Sequence, residues 1–177
     1  MTDSEYHALI ANYARSWTLL LAYDDQTLQS PADQQSGMRA LSLGEVLTAI
    51  ADFKGFLMAK GEASELFARL RGDGLASALA SIEQGFGDDL LYPNVASRAA
   101  HLLYFIVKNH PFTDGNKRTG AFLFLWYLRV NQHLLARPVD QLINDNALVA
   151  IALLVAQSAP NQKEVVIQLL EHFILLK

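Results

Sequence analysis

One stretch concentrates the side chains that could do chemistry: Lys108-Asn-His110-Pro-Phe112-Thr-Asp114-Gly-Asn116-Lys117-Arg118-Thr-Gly120. From Arg98 to Arg118 the cations are Arg98, Lys108, Lys117 and Arg118, and the only acid is Asp114. This local positive excess lies in a chain of formal net charge −4, a pattern that suits one specific anion better than a nucleic-acid surface. Gly115, Asn116, Lys117 and Arg118 are predicted to form the first turn of a helix. The first N–H groups of a helix have no partner within it, and with the helix dipole they make an anion site. Gly115 would let a phosphate approach the backbone, Asn116 would offer a side-chain amide, and Lys117 and Arg118 would supply charge. Cations in a first turn oppose the dipole, at about 0.3–1 kcal/mol each; a bound polyphosphate resolves that conflict. Asp114 either caps the helix or holds Mg²⁺, which binds through one or two carboxylates plus substrate phosphates. His110 has the side chain of a general base working near neutral pH. Phe112 is expected to turn inward and anchor the loop.

Helices must position these residues, because apolar positions recur at helical spacing along nearly the whole chain and strand-like alternation is scarce. A first helix is predicted over Ser4–Tyr23, with Tyr6, Leu9, Ile10, Tyr13 and Trp17 on one face. Residues 24–40 read as a loop. Ser42 and Glu45 have capping-box spacing and open a helix to Ala59, which Gly61 stops. A short helix is predicted over Ser64–Leu70; Gly72-Asp-Gly74 breaks the chain again, and another helix follows to about Gln84. The segment Gly85–Pro93 is turn-rich and fits a small hairpin. Asn94 caps a helix to Asn109, the motif helix runs from Gly115 to Val130, and two more run over Asp145–Gln157 and Asn161–Leu176. The motif helix is apolar on every side from Ala121 to Leu128, which places it at the centre of the fold. The expected class is all-α, one bundle-like domain over residues 1–177 with residues 1–41 as an N-terminal extension.

Composition narrows the chemistry. The chain has 177 residues, 51% hydrophobic and 18% charged, and no cysteine. That excludes disulfides, thiolate-ligated metals and thiol catalysis, and such apolar content argues against disorder. No segment reads as a targeting signal or a membrane span, so a cytoplasmic location is expected. No HExxH, nucleophile elbow or Walker-type loop occurs. His7, His101, His133 and His172 lack partners at ligand spacing and read as structural or exposed. Tyr104, Phe105 and the aromatics from Phe122 to Tyr127 read as core. Asp88-Asp89 reads as a solvated turn.

The run from His110 to Arg118 resembles the signature of the Fic/Doc (Fido) family, H-x-F-x-[D/E]-x-N-x-R, matching all five specified positions without a gap. Tyr92-Pro93 and the run from Ala99 to Phe105 resemble the helix before the motif in Doc-like members. The resemblance implies an all-α fold with a small hairpin flap, which Asp88-Asp89 would edge, and a transferase that moves part of ATP to a protein hydroxyl with Mg²⁺. On these positions it implies His110 as catalytic base, Asp114 as metal ligand, Gly115, Asn116, Lys117 and Arg118 as nucleotide-binding residues, and Phe112 as structural anchor. The motif departs from the AMP-transferring pattern at Lys117, in place of a glycine, and at Ala121, in place of a second arginine. Its Asn-Lys-Arg-Thr run resembles the Doc (death-on-curing) toxins, which implies phosphorylation of a target such as elongation factor Tu and restraint by an antitoxin. Pro111 and Gly115 are closer to adenylyl-transferring members, so AMP transfer stays open, as does a module that binds a nucleotide without turnover. None of the seven glutamates is followed by Gly or Asn, so the family's self-inhibitory [S/T]-x-x-x-E-[G/N] motif is absent.

Overall fold

The structure is a computed structural model describing residues 1–177. Nine α-helices and one two-stranded hairpin make up the chain. They are α1 (Asp3–Asn12), α2 (Ala14–Asp24), α3 (Leu43–Ala59), α4 (Gly74–Ser81), β1 (Gly85–Phe86), β2 (Asp89–Leu90), α5 (Val95–Asn109), α6 (Asn116–Val130), α7 (Val139–Leu142), α8 (Asp145–Gln157) and α9 (Lys163–Phe173). The fold is all-α with a small hairpin, as expected.

Helix starts follow their caps. Ser42, Asn94 and Asn144 each accept a backbone N–H three residues on, opening α3, α5 and α8. At the centre, α5 packs against α4, α6, α8 and α9. Its inward residues, among them Leu102, Leu103 and Ile106, are fully buried. Helix α6 contributes Leu123, Phe124, Tyr127 and Leu128 to the same core. Phe122, Leu125 and Trp126 on its other side are only partly covered, so α6 is central along one face and open along another. In the hairpin, Gly87 takes a positive φ of 63° at the first position of a two-residue turn. No helix is long and apolar enough to cross a membrane.

Three predicted helices differ. The first divides at Tyr13, where the Trp17 indole N–H and the Tyr13 N–H both bond to the Ile10 carbonyl. Residues 64–71 are not helical. They form a strap whose backbone pairs with the motif loop, because the carbonyls of Pro111 and Asp114 offer acceptors that local helix bonds would forgo. The last helix starts later, with a 3₁₀ turn over Pro160–Gln162 before α9.

Candidate active site

The motif loop joins α5 to α6, and its shape follows from residues at both ends. His110 adopts left-handed backbone angles (φ 50°, ψ 60°) and ends α5; the following Pro111 disfavours a helical residue before it. The strap fixes the rest. Arg71 N–H donates to Pro111 O at 2.8 Å, Thr113 N–H to Arg69 O at 2.8 Å, and Ala68 N–H to Asp114 O at 2.9 Å. Phe112 is fully buried. The Asn116 side chain closes the turn: its Oδ1 accepts from Phe112 N–H and its Nδ2 donates to Phe112 O, both at 3.0 Å. Those two bonds use the amide that sequence reasoning offered to an anion, so Asn116 shapes the loop.

Gly115 has two reasons to be glycine. Its φ is +81°, and a Cβ there would lie 2.3 Å from the Phe67 ring. The group that approaches its backbone is therefore a buried phenyl ring. Phe67 also lies under Arg118, whose guanidinium carbon sits 4.6 Å from the ring centroid. Arg118 donates from Nη1 to Glu62 O at 2.6 Å, and its Nη2 lies 4.0 Å from Asp114 Oδ2. Neither Glu62 nor Phe67 stands out in the sequence, because nothing in their segment points to partners so far along the chain.

What remains free defines the chemistry. Helix α6 has no side-chain cap, unlike α3, α5 and α8. The N–H groups of Gly115, Asn116, Lys117 and Arg118 meet no acceptor in the protein. They face a cleft of about 570 Å³ lined by His110, Asp114, Asn116, Lys117, Lys108 and Ala156 among others. His110 is exposed at its edge, with Nδ1 3.4 Å from Asn116 Nδ2. That separation is too long to lock the ring, so either nitrogen can turn its lone pair to the cleft. Asp114 is about half exposed, and its carboxylate accepts no hydrogen bond from the protein. No group of three or more His, Cys, Asp or Glu side chains exists to cage a metal. A single open carboxylate beside an anion site suits Mg²⁺ shared with substrate phosphates.

Two of the four counted cations lie elsewhere in purpose. Arg98 is buried in an ion pair with Glu83 and donates to Tyr92 O. Lys108 lines the cleft but ties its Nζ to the Ala156 and Ser158 carbonyls at the end of α8. The local charge therefore rests on Lys117 and Arg118.

The model of the Fic/DOC family matches residues 27–128, a span holding the strap, the hairpin, α5, the motif loop and most of α6. The chain belongs to the Fic/DOC family. No curated protein and no solved structure matches it. Fic/DOC members are in general transferases that use ATP and act on proteins, which accords with an uncapped helix start opening into a cleft beside a histidine.

Proposed function

We propose that this chain, as one Fido domain with residues 1–41 as an extension, transfers the γ-phosphoryl group of ATP to a hydroxyl of a target protein. The observation that carries the reading is the start of α6, where unbonded N–H groups and Lys117 open into the cleft that His110 borders. In the proposed step His110 takes the proton of the target hydroxyl. The hydroxyl oxygen then bonds to the γ-phosphorus, the bond from that phosphorus to the β–γ bridging oxygen breaks, and ADP leaves. The α6 N–H groups and Lys117 bind the phosphates and stabilise their charge, while Asn116 and Phe112 hold the loop in position. Asp114 would hold Mg²⁺, which when bound supplies Lewis-acid relief of phosphate charge.

Lys117 favours phosphoryl over adenylyl transfer, because a lysine fills and recharges the space that a glycine leaves in the AMP-transferring pattern. The modified target should gain a phosphate's mass and about −1.5 to −2 charge. Mass spectrometry finding an AMP adduct would replace this reading with attack at the α-phosphorus and release of pyrophosphate. Absence of any label in single-turnover assays would leave a nucleotide-binding module.

The Asp114 role has its own check. Titration calorimetry should show ATP affinity falling when magnesium is removed, and Asp114→Ala should lose that dependence. Equal magnesium dependence in the two proteins would overturn the assignment.

The target is proposed to be a core translation component such as elongation factor Tu, with an antitoxin that folds on binding and covers the cleft. Expression of this chain alone should then slow bacterial growth, and His110→Ala should relieve it. Equal growth with both proteins soluble would remove the reason for a restraining partner.

A further inference from the structure

The open side of α6 forms the floor of an apolar groove that meets the cleft at His110 only through Lys117 and Arg118. One cavity of about 430 Å³ lies against Phe122 and Leu125, between Phe53 of α3 and Val149 and Leu153 of α8. A second, of about 570 Å³, continues past the same Phe122 and Leu125 to Trp126, Arg129 and Ile143. Together they follow α6 from Lys117 to Arg129, about 18 Å at 1.5 Å per residue. Val149 and Leu153 are 59% and 42% exposed, so the first cavity leaves apolar side chains open to solvent, while Asp140 and Asp145 line the far end of the second.

The same chain carries an apolar helix face with no partner. No residue of α1 or α2 is buried. Tyr6, Ile10, Tyr13, Trp17 and Leu20 are spaced alternately four and three residues apart, the repeat of a helix seam, and each is at least half exposed. Because α1 and α2 meet at Tyr13, two helices in sequence carry this stripe, and Tyr6 to Trp17 reaches at most about 17 Å at helical rise, close to the length of the groove. Asp3 stands at the start of this face, the Glu5 carboxylate being taken by the Thr2 N–H, and no other acid follows before Asp24. Lys117 and Arg118 stand at one end of the groove. Half-exposed aromatic and aliphatic side chains contribute roughly 100 Å² each. With Leu9 and Leu21 the face then offers area near the roughly 800 Å² per partner of a specific interface.

We infer that the N-terminal helices of one copy seat in the α6 groove of a second copy, with Asp3 toward Lys117 and Arg118. The contact is heterologous, helix into groove, and unlike a symmetric pairing of helix with helix it requires both surfaces.

Sedimentation equilibrium over a dilution series tests it. The full chain should show a mass of two or more chains. Trp17→Asp in the helix and Val149→Asp in the groove should each raise the dissociation constant more than about tenfold, since each buries an unpaired charge in an apolar seam. Both positions are exposed in the single chain, so unchanged far-UV circular dichroism and melting should confirm that the variants fold. A monomer at every concentration overturns the inference. So does sensitivity to Trp17→Asp alone, which means helix pairs with helix, or to Val149→Asp alone, which means groove meets groove. Indifference to both changes overturns it as well.

Discussion

Replacing His110 by alanine should lower the rate of group transfer by about 10²–10⁴-fold, the usual contribution of a positioned general base. Nucleotide affinity should be nearly unchanged, because the phosphates are assigned to the α6 N–H groups and Lys117. His110 is exposed, ends α5 and carries no core packing, so its loss should leave the fold intact. Its backbone is left-handed, and His110→Asn, a residue that tolerates that conformation, separates chemistry from geometry. The asparagine variant should keep the melting temperature yet remain as inactive as the alanine variant. A variant that labels targets at the wild-type rate would show that another group takes the proton.

Gly115→Ala should destabilise the protein by about 2–5 kcal/mol. A Cβ in the left-handed region costs about 1–2 kcal/mol, and overpacking a filled site adds about 1–3 kcal/mol. Relief is difficult, because Phe67 is itself fully buried, packed edge-on against Phe53 at 5.7 Å and covered by Arg118. For a chain of this length the melting temperature should fall by about 5–15 °C. Gly115→Ala combined with Phe67→Leu should recover part of the loss, a coupling expected only of residues in contact. Gly55→Ala in α3 is the control: nothing lies within 4 Å of its added Cβ, and it should be neutral or stabilising by up to about 1 kcal/mol. A Gly115→Ala protein that melts with the wild type would mean that the loop does not need its glycine.

What could be read from the chain alone follows from how local each signal is. The caps of α3 and α5 announce themselves because Ser42 and Asn94 bond to N–H groups three residues away. The motif is equally plain, being nine contiguous residues on one turn and one helix start. The strap is not, because residues 64–71 gain their backbone partners only from a loop far along the sequence. Asn116 and Gly115 show the same divide. Their types fit an anion cradle, yet their surroundings in space use the amide for Phe112 and the bare Cα for Phe67. Charge counting along the chain likewise placed Arg98 with the site, while the fold buries it against Glu83. The stripe from Tyr6 to Trp17 is legible as one face of a helix; that the helix divides at Tyr13 and leaves the face uncovered is not.

The most direct test of the proposed reaction follows label from ATP into protein. The purified chain, in wild-type and His110→Ala forms, would be incubated with a bacterial lysate and ATP labelled at either the α- or the γ-phosphate, then resolved by gel. One or a few protein bands should be labelled from γ-ATP alone, and none with His110→Ala. Bands labelled equally by the wild type and the alanine variant, or no transfer from either position, would contradict it.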